Sequence, residues 1–111
     1  MTGRLWGVLR LNIMSVSRFP GTSAREFFFN SVGKLLDSPY PEYIKRKYYF
    51  RFHHGRVEMY IIYDIEPGNE DAALKDINER AYEYMRDVEG FEVEDIIPLM
   101  SMQEALEIME V

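Results

Sequence analysis

The stretch YYFRFHHGRVEMYIIYDIE, Tyr48 to Glu66, decides how the chain is read. His54-Gly55 reads as the turn of a β-hairpin, because Gly supplies the positive φ that a tight turn needs. Pairing the strands across that turn sets Phe52 against Val57, Phe50 against Met59 and Tyr48 against Ile61 on one face. The other face pairs Arg51 with Glu58 and Tyr49 with Tyr60. One register thus yields an apolar face and a charge-matched face together, and a slip of one residue would scramble both.

Outward from the hairpin, alternation places a first strand over residues 4–16. Leu5, Gly7, Leu9, Leu11 and Ile13 lie on one side, and Trp6, Val8, Arg10, Asn12 and Met14 on the other. Arg18-Phe19-Pro20-Gly21 reads as the punctuation that ends it. A helix follows, with Ser23 and Glu26 at capping-box spacing, Thr22 as an alternative cap, and Ala24, Phe27, Phe28, Val32, Leu35 and Leu36 on one side. Gly33 inside it predicts either a close packing contact or fraying. Ser38-Pro39-Tyr40-Pro41 stops this helix before the hairpin.

After the hairpin, Asn69 is the expected N-cap of a second helix, whose apolar positions are Leu74, Ile77, Ala81, Tyr84, Met85 and Val88. Gly90 is placed to take the left-handed conformation at its end. FEVEDIIPL then reads as a fourth strand with Pro98 on an edge. Ser101 and Glu104 repeat the capping-box spacing and open a short C-terminal helix to about Met109.

The order β-α-β-β-α-β plus a tail helix, over residues 1–111 as a single domain, predicts an α+β fold. It is the ferredoxin-like sandwich, a four-stranded antiparallel sheet of order 4-1-3-2 with both long helices on one face. That leaves the second face uncovered. It carries Trp6, Arg10, Asn12, Tyr49, Arg51, His53, Glu58, Tyr60 and Asp64, together with Val8, Met14 and Ile62. So much apolar surface mixed with charge marks an interaction face. Either a second subunit packs there or a ligand does.

Composition bounds the rest. A chain of 111 residues that is 47% hydrophobic is long enough for one core and unlike a disordered segment. Its formal net charge of −6 is the wrong sign for neutralising phosphates, so no nucleic-acid partner is expected. The chain has no Cys, which removes disulfides, thiolate metal sites and cysteine nucleophiles and fits a reducing compartment. The apolar segment LWGVLRLNIM is broken by Arg10 and Asn12 and is too short to span a bilayer. A cytoplasmic protein without a membrane partner is the expectation.

Among chemical motifs, the zinc, P-loop, dinucleotide and Ser-His-Asp patterns do not occur. Metal ligation and cofactors are therefore not expected. His53 and His54, adjacent in a strand, are expected to point to opposite faces and so not to share a metal. His53 on the open face near Arg51 and Glu58 could act as an acid or base. Arg10, Arg51, Glu58 and Asp64 suit either a bound carboxylate or cross-strand ion pairs inside a subunit interface. An RNA-recognition module shares this topology, but the third strand, RVEMYIIY, lacks its Gly-aromatic core.

The segment YEYMRDVEGFEVEDIIPLMSMQEALEIM, residues 82–109, resembles the end of a small family of unknown function within the dimeric α+β barrel superfamily. In that superfamily two ferredoxin-like subunits pack sheet to sheet. The resemblance implies a homodimer through the open face, binding a small molecule there or serving as an assembly module. The superfamily also contains cofactor-independent and haem-degrading monooxygenases, isomerases and sensory ligand-binding domains. A cofactor-independent monooxygenase or isomerase acting on a small aromatic substrate is thus the alternative. Trp6 and Asn12 match residue types used by the haem-degrading members. Their placement departs from that pattern, with Trp6 on the first strand and no His on the second long helix, so those roles do not carry over.

Overall fold

The structure is a computed structural model that describes residues 11–109. Its elements are β1 (Leu11–Pro20), α1 (Ala24–Asp37), β2 (Ile44–His53), β3 (Arg56–Ile65), α2 (Glu70–Asp87), β4 (Glu92–Leu99) and α3 (Met102–Met109). The four strands form one antiparallel sheet in the order β2-β3-β1-β4, the expected 4-1-3-2 read from the other edge. The hairpin has the expected register, with Arg51 opposite Glu58, Tyr49 opposite Tyr60 and Phe50 opposite Met59. His54 and Gly55 supply its turn with φ of 51° and 74°.

The first strand differs from expectation at its end. β1 continues through Arg18 and Phe19 to Pro20, whereas residues 4–10 of the expected strand lie outside the described residues. Ile13, Ser15, Ser17 and Phe19 form its buried side. The two serines interrupt the apolar alternation there. Phe19 anchors the core: its ring stacks on Phe27 at 4.6 Å and on Phe91 at 5.9 Å between centroids. Tyr84 joins the cluster at 5.1 Å from Phe27 and 5.4 Å from Phe91. Contacts of this kind add to plain area burial. Val57, Met59, Ile61, Tyr63 and Ile65 from β3 complete the sheet's contribution, and Ala73, Ile77 and Val88 that of the α2 region. Both long helices pack on this one face.

Several local expectations are corrected. Ser23 does not cap α1; its hydroxyl donates instead to the Glu89 carbonyl at 2.8 Å, tying the start of α1 to the turn before β4. Asn69 makes no side-chain cap either, and the Glu70 carboxylate accepts the Gly68 N–H at 3.1 Å. Met85 is exposed, and the buried positions of α2 are Ala73, Ile77 and Arg80. The second capping box is realised in both directions. The Ser101 hydroxyl accepts the Glu104 N–H at 3.1 Å, and the Glu104 carboxylate accepts the Ser101 N–H at 3.3 Å. Gly90 has the expected positive φ, 77°, and a Cβ there would come within 2.7 Å of the Pro20 ring.

The largest correction concerns α1. Only Phe27 is buried, while Phe28, Val32 and Leu36 are exposed, Leu36 by 78%. The helix is held to α2 by its other side: Tyr84 Oη donates to Ser31 Oγ at 2.9 Å, and Lys34 Nζ lies 2.7 Å from Glu83 and 3.4 Å from Asp87. Gly33 makes no close packing contact, because a Cβ there would meet nothing within 4 Å. Gly33→Ala is therefore expected to stabilise the fold by about 0.5–1 kcal/mol through helix propensity and lost unfolded-state freedom. A thermal melt that rises by a few degrees checks it.

The α1–α2 junction also sets a pH dependence. Hydrogen bonds from Arg86 at 2.7 and 3.0 Å, with Lys34 adding to them, hold the Asp87 carboxyl down at about 2. A depressed folded-state pKa contributes stability above the unfolded value of about 3.9, and loses it as pH falls through the folded one. Asp87→Asn is expected to lower the melting temperature at pH 7 and to flatten its decline between about pH 4 and 2. Denaturation midpoints at pH 7, 4 and 2 measure this.

Candidate functional site

Strand register builds the open face from rows that run across the sheet. Antiparallel partners share a face, so the residues opposite the buried set are brought together row by row. The first row is Lys45, Asp64, Asn12 and Leu99. The next is Lys47, Ile62, Met14 and Ile97, followed by Tyr49, Tyr60, Val16 and Asp95. The row nearest the hairpin turn contains Arg51, Glu58, Arg18 and Glu92. The middle of the face is thus apolar and aromatic, and its hairpin end is charged.

The charged row alternates in sign. Arg51 Nη2 lies 2.6 Å and Nε 2.7 Å from the same oxygen, Glu58 Oε1. Arg18 pairs with Glu94, which a register shift after Val16 turns toward it. Arg56 Nη2 is 3.7 Å from Glu92. The hydrogen bond from Arg51, helped by the charges of Arg51, Arg18 and His53 against some desolvation, holds the Glu58 carboxyl below its usual range. Arg18 Nε and Arg56 Nε are buried and have no hydrogen-bond partner among the described residues.

Of the residues expected at the site, Asn12, Tyr49, Arg51, Glu58, Tyr60 and Asp64 lie on this face, with His53 at its hairpin end. Trp6 and Arg10 lie outside the described residues. Arg18 and Glu94 were missed. Arg18 continues the even-numbered alternation of Asn12, Met14 and Val16, a signal obscured by the turn-like Pro20-Gly21 that follows. His54 sits in the turn and is exposed, as expected, but its ring does not point away from that of His53: the two meet edge to face at 3.9 Å. Both are exposed, and among the described residues no group of three or more His, Asp and Glu is arranged to hold a metal ion.

On the helix side of the sheet a cavity of about 30 Å³ lies among Ser15, Tyr63, Tyr84 and Arg80. That volume suits about one water molecule rather than an organic substrate. Its wall is stiffened by Tyr40, whose ring sits between the guanidinium groups of Arg80 at 3.9 Å and Arg46 at 4.0 Å. Arg80 is fixed in turn by Asp76 at 2.8 Å and the Pro39 carbonyl at 3.2 Å. Burial raises the Tyr40 and Tyr63 hydroxyls above their ordinary pKa, so both stay protonated hydrogen-bonding groups. This cluster joins the α1–β2 connection to α2.

Comparison with protein-family models, with curated proteins and with solved structures gives no match for the chain. Among the described residues no helix is long and apolar enough to cross a membrane.

Proposed function

We propose that the chain is a ferredoxin-like assembly module that pairs sheet to sheet with a second copy of itself, in the manner of a dimeric α+β barrel. The observation that carries this reading is the alternating row Arg51, Glu58, Arg18, completed on β4 by Glu92 opposite Arg18 and by Glu94 ion-paired to it. A two-fold axis running along the strands between β3 and β1 reverses that row in the partner. Arg51 then faces the partner's Glu94, and Glu58 faces the partner's Arg18, so each charge meets its opposite. The same rotation sets Tyr60 against the partner's Val16 and Ile62 against the partner's Met14. The apolar band thereby closes on itself.

Strands of about ten residues in a four-stranded sheet present roughly 600 Å² per subunit, or about 1,200 Å² in all. This is the low end of stable interfaces. The space between the sheets, bordered by Tyr49, Tyr60, Asn12 and Asp64, is where a small polar or aromatic molecule would be held. Sedimentation equilibrium from about 1 to 100 μM tests the pairing, and native mass spectrometry of the purified protein tests for a retained molecule. A single-chain mass throughout would contradict the proposal.

A further inference from the structure

α3 is an amphipathic helix with its apolar side turned outward. None of its residues is buried; Met102, Leu106, Ile108 and Met109 are exposed, while Glu104, Ala105 and Glu107 are half-buried. At the far edge of the sheet, α1 and β2 leave a matching apolar strip. Phe28 touches Phe50 at 5.4 Å between rings, and Val32 and Leu36 continue from Phe28 at four-residue spacing, with Tyr48 and Phe52 open beside them.

The two edges carry opposite charge. β2 holds Lys45, Arg46, Lys47 and Arg51 and no acidic residue. β4 and α3 hold Glu92, Glu94, Asp95, Glu104 and Glu107, and the sequence from Asp87 to Val111 contains no Lys or Arg. Within one chain the strip stays uncovered, with Val32, Leu36 and Phe52 all exposed.

We infer that α3 of each subunit clasps the partner, crossing the partner's β2 edge and laying its apolar stripe on Tyr48, Val32 and Leu36. This rests on the sheet-to-sheet pairing proposed above. The two-fold along the strands lays the β4 edge of one copy over the β2 edge of the other, and register fixes the height. Leu99, from which α3 departs, shares a row with Lys45. It therefore comes opposite the partner's Lys45, beside the end of α1 that bears Leu36. The lengths agree as well. The Met102–Leu106–Met109 stripe and the Phe28–Val32–Leu36 stripe each extend about 11–12 Å. Glu92, Glu94 and Asp95 of β4 then lie over the partner's basic β2 edge.

The test uses the full chain and two exposed-position variants, Leu106→Glu on the helix and Leu36→Glu in the strip. Each alone is expected to raise the dimer dissociation constant about 10- to 100-fold while leaving the circular-dichroism spectrum of the diluted protein unchanged. Mixed one to one, they are expected to form a heterodimer tighter than either homodimer, because it restores one intact clasp. Homodimers as tight as wild type, or a mixture no tighter than its components, would overturn the clasp. Glu58→Lys as a third variant separates the two readings. If it dissociates the dimer and the clasp variants do not, the sheet pairing stands and the clasp falls. If the clasp variants dissociate it and Glu58→Lys does not, α3 holds the dimer without the proposed sheet face. A wild-type monomer at 100 μM removes both.

Discussion

Phe19→Ala is expected to cost about 3–5 kcal/mol and to leave most of the protein unfolded or marginal at 37 °C. Phe19 is fully buried, and its ring stacks on Phe27 and Phe91, which come from α1 and from the turn before β4. Its loss removes the transfer free energy of a phenyl group and leaves a cavity lined by the Phe27 and Phe91 rings, with Tyr84 packed against both. That cavity cannot collapse easily. Tyr84 is pinned by its hydrogen bond to Ser31, and the start of α1 by the Ser23 bond to Glu89. A domain of this size has only about 5–15 kcal/mol in total, so the substitution takes a large fraction of it. Urea denaturation followed by circular dichroism measures the loss. A change below about 1 kcal/mol would mean that β1 does not continue to Phe19. Phe19→Leu, which keeps most of the volume, is expected to cost far less.

Glu58→Lys is expected to convert the protein to a monomer, raising the dissociation constant on the order of 100-fold or more. Glu58 is the second member of the alternating row, flanked by Arg51 and Arg18 on neighbouring strands. Replacing it with a cation puts three positive charges side by side within a subunit and sets two of them against each other across the two-fold. Arg51 loses both of its contacts to Glu58 Oε1. The same substitution is expected to lower the melting temperature, and high salt is expected to lessen both effects by screening. The double variant Glu58→Lys with Arg51→Glu restores alternation in the hairpin alone. Its folding is expected to recover further than its dimerisation, because Arg18 still meets a like charge.

The parts of this structure legible in the sequence are those fixed by local chemistry. The β2–β3 register follows from Gly55 together with the Arg51–Glu58 and Tyr49–Tyr60 pairs, and one slip would break all of them. Two sites share capping-box spacing, yet only Ser101–Glu104 forms the box. Ser23 is drawn away by a carbonyl 66 positions further along the chain, a partner that no local pattern contains. Pro20-Gly21 reads as turn punctuation and ends the expected strand at residue 16, whereas β1 runs on to Pro20 with Ser15 and Ser17 buried on its core side. That error also concealed Arg18, and with it the charge alternation of the open face. Helical periodicity correctly marks Phe28, Val32 and Leu36 as an apolar stripe of α1. It does not say what covers the stripe, and here the chain's own sheet does not.

The central claim is that the open sheet face closes on a second copy. Sedimentation equilibrium of the intact chain, from about 1 to 100 μM at low and high salt, tests it most directly. The account predicts a mass that rises with concentration from 13.2 kDa toward twice that value, with a midpoint that shifts to higher concentration as salt is added. A mass of 13.2 kDa at every concentration would contradict it.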